Sequence, residues 1–356
     1  MSRVGRSVRQ EVRRPVSLHD VAREAGVHSS TASRALTGAS DRPVNPVTRD
    51  RIIAVAQRLG YHPNAMARSL KTASAGAIGM LVPSFRNPFW SQVMRAVVRR
   101  ASERGVVVLV AEDTGDEATE QAYERLIAQA RIDGLIVTSA TTHSSLARRV
   151  IASGAPCVFA GRGVAGSGRN VRLAEEPVSE LAVEHFAGLG HRVVGHVTGQ
   201  VDASDIIERR VAGFAAAAAT HGVEARIERG SLDEAGGATA AGRLLDADDA
   251  PTALLVTNFN QVFGAIAAIR ARSLAIPGDV SVIAADDDPV FDFLEPPQTA
   301  FRRDHDELGT AAVDALLQQL AGSPPADVEL SLPPALIERA STAPPPAHRR
   351  TPGGTG

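Results

Sequence analysis

Cysteine is almost absent from this 356-residue chain. The only one, Cys157 in the apolar stretch APCVFA, can form no intrachain disulfide and reads as a buried thiol. No run approaches the roughly 18 apolar residues of a membrane span. The Arg-rich stretch 1–14 lacks the apolar core of a signal peptide. Together these absences predict a soluble cytoplasmic protein with no membrane partner. The ten histidines are scattered without H-E-x-x-H spacing, and no G-x-S-x-G elbow is present. No acid/base constellation emerges either, so we expect no catalytic residues, no metal site and no cofactor. What is abundant is apolar content, 44% of residues, enough for two or three domains with a sizeable core.

The formal net charge of −2 conceals an asymmetry. Residues 1–72 carry 13 Arg/Lys against 5 acids, a net of +8, whereas the remainder carries 25 basic and 35 acidic residues, a net of −10. A small basic head on a larger acidic body suggests that the head meets a polyanion and the body does not.

Within the head, Ser17 is a good N-cap and Asp20 can return its bond in a capping box, so SLHDVAREAG starts a helix that Gly26 ends. Val21, Ala22 and Ala25 give that helix one apolar face. A second helix is expected from about Ser29 to Leu36, burying Ala32, Ala35 and Leu36. Helix, tight glycine turn, helix is the spacing of a helix-turn-helix. The second helix is rich in small hydroxyl residues, none of them a strong helix former: Ser29, Ser30, Thr31 and Ser33. A recognition helix explains them, because short polar groups let the backbone approach the floor of a DNA groove and bond bases or phosphates. Arg34, one turn beyond Ser30, is the arm that could reach a guanine O6/N7 edge. A third helix follows in NPVTRDRIIAVAQRLG, with Val47, Ile52, Ile53, Ala56 and Leu59 as its apolar positions and Gly60 as its stop. The next segment, YHPNAMARSLKT, opens at Pro63 and is too short to be a stable helix alone, so its stability must come from a partner.

The order SLHDVAREAGVHSSTASRALTG, RLGYHPNAMARSLKT and AIGMLVPSFRNPFW resembles the lactose-repressor (LacI/GalR) family of bacterial transcription regulators, and the likeness continues to about residue 340. The resemblance implies that the T-x-S-R run carries the recognition helix and that A-R-S-L-K is a hinge helix folding on the operator. Leu70 would then wedge into the minor groove and Lys71 contact it; an apolar wedge flanked by Arg68 and Lys71 suits the kinking of a base step. The DNA-contact set it implies is Ser17, Ser29, Ser30, Thr31, Ser33, Arg34, Asn64, Arg68, Leu70 and Lys71. One departure is His28 where many members carry a serine N-cap. His is the poorer cap, which shifts the start of the second helix onto Ser29 or a phosphate.

In the acidic body, the runs AIGMLV, VVVLVA, DGLIVTS, PCVFAG, VVGHVTG, ALLVTN and DVSVIA alternate with helix-length segments, the pattern of parallel sheets covered by helices. The expected fold class is α/β: a helix-turn-helix DNA-binding domain over 15–62, a hinge and linker over 63–76, and a periplasmic-binding-protein-like core of two α/β subdomains over 77–340. Disordered tails are expected at 1–14 and at 341–356, where STAPPPAHRRTPGGTG is Pro/Gly-rich. Ligands in such sheets bind beyond the carboxyl ends of the strands. The resemblance places an effector there, between the subdomains.

Five cleft residues are candidates. Phe89 and Trp90, the latter the single tryptophan, follow the first strand with Asn87; Trp90 can stack an effector ring or simply pack. Arg210 matches the family arginine of R-x-x-G-[FYW], Asn258 the asparagine of its N-D motif and Asp286 the aspartate of its G-[FY]-D-D run. Phe259, Ala174 and Glu175 depart from family polar positions, as does IAADD, which suggests an effector less hydroxylated than a simple sugar or a weaker response. The implied partners are a pseudo-palindromic double-stranded DNA operator, a small-molecule effector such as a sugar or related metabolite, and a second copy of the chain in a homodimer.

Two motifs mislead. GRGVAG at 161–166 has G-x-G-x-x-G form, but SGRNVRLAEEP continues as loop and extended chain rather than the helix a dinucleotide site needs. Asp286, Asp287 and Asp288 are adjacent, so they point different ways and make a poor cation site. The reading is therefore a DNA-binding repressor controlled by an effector. Its alternatives are a solute-binding protein of the same core fold, for which a signal peptide and no basic head would be expected, and a sugar- or nucleotide-processing enzyme.

Overall fold

The computed structural model describes residues 16–37, 43–61, 74–113, 115, 117–141, 144–200 and 205–347. The chain divides into two units between Ala75 and Gly76. The expected hinge, with Asn64, Arg68, Leu70 and Lys71, and the tail at 1–14 lie outside the described residues.

The head is built from helices α1 (Leu18–Glu24), α2 (Ser29–Thr37) and α3 (Pro46–Leu59). The capping box at Ser17 forms as its sequence predicts: Asp20 N donates to Ser17 Oγ at 3.3 Å, and Ser17 N donates to Asp20 Oδ2 at 3.0 Å. Such a cap is worth about 1 kcal/mol. Gly26, at φ +63°, makes the turn into α2. The start of α2 differs from expectation. His28 itself serves as cap, its Nδ1 accepting from Ser30 N at 3.3 Å, while its carbonyl accepts from Thr31 N and Ala32 N. Asn45 caps α3 through Val47 N, and Gly60 closes it in the left-handed conformation at φ +66°. The three helices enclose Val21, Ala22, Ala25, Ala32, Ala35, Ile52, Val55 and Ala56, with Leu36 and Leu59 packed alongside. Val47, expected among the apolar positions of α3, faces solvent at 79% exposure, and Val55 takes the inward place at helical spacing from Ile52 and Leu59.

The core holds two six-stranded sheets. The first has the order β11-β5-β4-β3-β1-β2, from β1 (Ala77–Val82), β2 (Val107–Glu112), β3 (Leu135–Val137), β4 (Cys157–Ala160), β5 (Asn170–Leu173) and β11 (Val328–Leu330), all parallel. The second has the order β12-β10-β9-β8-β6-β7, from β6 (Val193–Thr198), β7 (Glu224–Arg229), β8 (Ala253–Val256), β9 (Ser281–Ala284), β10 (Thr299–Arg302) and β12 (Ala335–Ile337). It is parallel except where β12 pairs antiparallel with β10. Central strands such as β3, β4, β8 and β9 are buried along their whole length, which is why they read as unbroken apolar runs.

Helices α4 (Pro88–Glu103), α5 (Glu117–Ala128) and α6 (Ser145–Ala152) belong to the first sheet. Helices α7 (Glu176–Leu189), α8 (Asp205–His221), α9 (Glu234–Leu245) and α10 (Phe259–Ala271) belong to the second. Helix α11 (His305–Leu320) follows the second sheet's β10 yet packs on the first subdomain. It buries Leu308, Ala312, Val313 and Leu316 with Val93 and Val97 of α4. A Cβ on Gly309 would lie 2.6 Å from the Ala96 Cβ, so only glycine permits this approach. The backbone thus crosses between subdomains three times: after β5, after β10 and between β11 and β12.

Residues 341–347, expected within a disordered tail, are instead bonded to the second sheet. Ser341 O accepts from Val282 N at 2.9 Å and its Oγ accepts from Thr299 N at 2.8 Å, while Ala343 N donates to Ser281 Oγ at 3.0 Å. The proline-rich composition conceals this strand-like attachment, which satisfies backbone groups at the sheet's end. Cys157 is buried as expected, and burial pushes its thiol pKa up.

Candidate functional site

On α2 the polar residues expected at a DNA interface share the outer side of the helix. Ser30 is exposed, and Ser29, Thr31, Ser33 and Arg34 are partly exposed. The Arg34 side chain lies back along the helix, with Nε donating to Ser30 O and Nη2 to Thr31 Oγ1, both at 3.3 Å. These long bonds are weak enough to be exchanged for other acceptors. Ser17 is committed to the capping box, its hydroxyl donating to Asp20 Oδ2 at 2.6 Å.

The core's cleft is formed by segments that follow strands: Asn87, Phe89 and Trp90 after β1, Gly161 and Arg162 after β4, Leu232 after β7, Thr257 and Asn258 after β8, and Asp286 after β9. Ile206, Ile207 and Arg210 of α8 complete it. All five sequence-predicted cleft residues are therefore brought together. The cavity among these residues is about 50 Å³, smaller than a sugar-sized ligand needs. Ion pairs span it: Arg172 of β5 with Asp205 of α8, and Arg86 with Glu234 of α9 at 2.7 Å.

Each predicted residue has a local task. Asn87 caps α4 through Phe89 N, and Asn258 caps α10 through Asn260 N, both at 3.0 Å. Trp90 is 6% exposed and packs edge-on to Phe89, whose ring also meets His305, each at a centroid distance of 4.6 Å. Arg210 Nε donates to Glu175 Oε2 at 2.7 Å. Glu175 also receives Arg303, whose Nη2 donates to its Oε1 at 2.7 Å. Arg303 and His305 in turn reach Asp286 Oδ1 at 3.5 and 3.4 Å. Burial pushes the Asp286 carboxyl up, but the His305 hydrogen bond and the Arg303 charge outweigh it and hold the pKa at about 2. For Arg303, burial lowers the pKa, and Glu175 with Asp286 more than restore it.

The sequence reading missed Glu175, Arg303 and His305 as a unit. Glu175 lies at the first crossover and Arg303 at the second, so their ion pair joins the two connecting segments. Glu175 stands at a position flagged as departing from the family pattern, and that departure was the available signal. Phe259, the other departure, does not line the cleft. It stacks on Phe291 at 5.5 Å and meets Phe263 edge-on at 5.0 Å inside the second subdomain. The aspartate triplet divides as expected: Asp286 faces the cleft, Asp287 pairs with Arg339 at 2.9 Å, and Asp288 caps a 3₁₀ turn through Val290 N. GRGVAG leads into β5 rather than a helix. No described helix is long and apolar enough to cross a membrane.

A three-helix head of helix-turn-helix type attached to a two-subdomain, periplasmic-binding-protein-like core defines a class of ligand-responsive DNA-binding regulators. Comparison with known proteins agrees: residues 17–64 match the bacterial regulatory proteins of the lacI family, and residues 183–342 match the periplasmic binding protein-like domain. The chain is 30% identical to the ribose operon repressor of Escherichia coli (strain K12) over 91% of its length and 99% of that protein. It is 31% identical to the lactose operon repressor of the same strain, covering 95% and 94%. Its fold superposes on a lac repressor dimer bound to operator and the anti-inducer ONPF with a TM-score of 0.80, at 30% identity, covering 93% of this chain and all of that one. The chain belongs to the lacI family of bacterial regulatory proteins. It is a DNA-binding transcriptional regulator, not an enzyme.

Proposed function

We propose that the protein is a cytoplasmic repressor that binds a pseudo-palindromic operator as a homodimer and whose operator affinity is set by a small molecule held between the core subdomains. The exposed polar turn of α2 carries the DNA reading: Ser29, Ser30, Thr31 and Ser33 contact bases or phosphates at close range, and Arg34 swings from its weak bonds on the helix to a guanine. Ser17 supports the start of α1 against a phosphate. Leu70 and Lys71 extend the contact into the minor groove, flanked by Arg68, and Asn64 completes the DNA-contact set. One head buries too little surface for high specificity, so two are required, matching the operator's symmetry.

Phe89, Trp90, Arg210, Asn258 and Asp286 form the effector's surroundings. A ligand there changes the closure of the cleft and thereby the spacing of the two heads in a dimer, which gives the coupling between the sites. The test is operator binding with Arg34→Ala. The expected loss is about 1–3 kcal/mol, with relaxed preference at one base pair per half-site. Binding of the unchanged protein should weaken linearly in log salt. A loss that is equal for operator and random DNA would refute the assignment of Arg34.

A further inference from the structure

Three charged side chains line the cleft: Arg162, Arg210 and Asp286. Two are paired directly inside the protein, Arg210 with Glu175 and Asp286 with Arg303 and His305. The third makes no such direct pair. Among the described residues no carboxylate forms an ion pair with Arg162 and no acceptor takes a hydrogen bond from its guanidinium; its contact is with the Trp90 ring, 5.9 Å from the centroid. The backbone on either side is fixed. Gly161 N donates to Val171 O at 2.9 Å, and Gly163 N donates to Asp205 Oδ1 at 2.8 Å. Gly161 sits at φ +77°, with Trp90 3.0 Å from where its Cβ would be, so the chain turns here in a way that only glycine accepts and delivers Arg162 into the cleft. Burial, with the Arg210 charge adding to it and the Asp113 charge opposing it, pulls the guanidinium pKa down to about 10, still charged at neutral pH.

We propose that Arg162 is a ligand-binding residue and that the effector is a small organic anion, a sugar-sized molecule whose carboxylate or phosphate pairs with this guanidinium. The inference rests on the reading of the cleft as the effector site and deepens it to a chemical class. A partly buried cation whose guanidinium makes no direct ion pair or hydrogen bond is costly unless a counter-charge arrives, and a planar fork of donors suits both anions. The N-termini of α4 and α10 open into the same space with neutral caps, Asn87 and Asn258, so their dipoles add positive potential. Trp90, Ile206, Ile207 and Leu232 supply the apolar wall for the rest of the molecule.

The test compares wild type with Arg162→Gln and Arg162→Met by thermal unfolding and calorimetry, using glucose, glucose 6-phosphate, gluconate and inorganic phosphate, each against a chloride control. The expected result is stabilisation by an anionic member of the set and none by glucose, with a roughly ten- to hundredfold weaker affinity in Arg162→Gln. Inorganic phosphate acting as strongly as glucose 6-phosphate also supports the site, placing recognition in the anion alone. Arg162→Met should raise the melting temperature of the ligand-free protein, because an unpaired charge has been removed. The proposal is overturned if no anion stabilises wild type beyond chloride, if glucose binds wild type and Arg162→Gln equally, or if Arg162→Met lowers ligand-free stability. Failure of wild type to bind any operator would instead count against the DNA-binding reading and leave the anion result standing.

Discussion

The head and the core secure their folds by opposite means. In the head, five of the eight buried residues are alanine, and the helices are fixed by caps at Ser17, His28, Asn45 and Gly60. Its ion pairs, Arg58 with Glu24 at 2.6 Å and Arg23 with Asp20 at 3.0 Å, are exposed and contribute little. In the core, charge is taken inside: Glu175, Arg303, Asp286 and His305 are all largely buried, joined across the crossovers between subdomains. A small, weakly packed unit that fixes its helices locally keeps its polar surface free for recognition. A large unit with apolar area in excess can hold a buried ionic network, which specifies one arrangement of two subdomains rather than adding stability.

This contrast can be broken at either end. The largest effect is expected from Arg303→Ala, which leaves Glu175 with Arg210 alone and Asp286 with His305. Chemical denaturation of the core should show a loss of about 3–5 kcal/mol, with the head's transition unmoved. Double substitution with apolar residues of similar volume at 175 and 303 should recover most of it.

Acid should sharpen the distinction. His196 is buried with Nε2 against Thr257 Oγ1 at 2.6 Å, and burial, with Arg210 and Arg229 near, pulls its pKa from 6.5 to about 3. Below pH 6.5 the unfolded chain takes up a proton that the folded core refuses. Stability therefore falls as pH drops from 6.5 toward 3, by about 1.4 kcal/mol per unit from this group. His196→Gln should flatten that slope. Asp286 acts in a lower window, its contribution complete above pH 3.8 and lost as pH falls toward 2. The smallest effect is Ser17→Ala, about 1 kcal/mol on the head, measured by helix content, with core unfolding unchanged.

Much of this fold was legible in the sequence, for identifiable reasons. Strands buried on both faces announce themselves as apolar runs, and caps announce helix starts. Of the strands that escaped, β7 (EARIER), β11 (VEL) and β12 (ALI) are edges with exposed or half-exposed side chains that leave no pattern, while β10 (TAFR), like β5 (NVRL), lies inside its sheet but spans only four residues with a polar or charged residue among them. At the cleft, residues at the ends of predicted strands were identifiable one by one, Asp286 and Asn258 among them. Arg162 was overlooked because it sat inside a glycine motif read for another chemistry. The Glu175–Arg303 pair joins residues 128 positions apart, a separation at which periodicity and capping carry no information.

The threefold crossing of the backbone has a consequence for how the protein is made. The first subdomain's sheet is finished only by β11, and the face that α4 covers in part is completed only by α11, although its other strands are complete by Leu173. During synthesis, Leu308, Val313 and Leu316 are still missing when β6 to β10 of the second subdomain have already been made. Until they arrive, the first subdomain presents a partly uncovered apolar face and an open β5 edge, the features on which nascent chains aggregate. Arrest of translation before about residue 330 should therefore leave a product that is bound by chaperones, even though every strand of its cleft has been made.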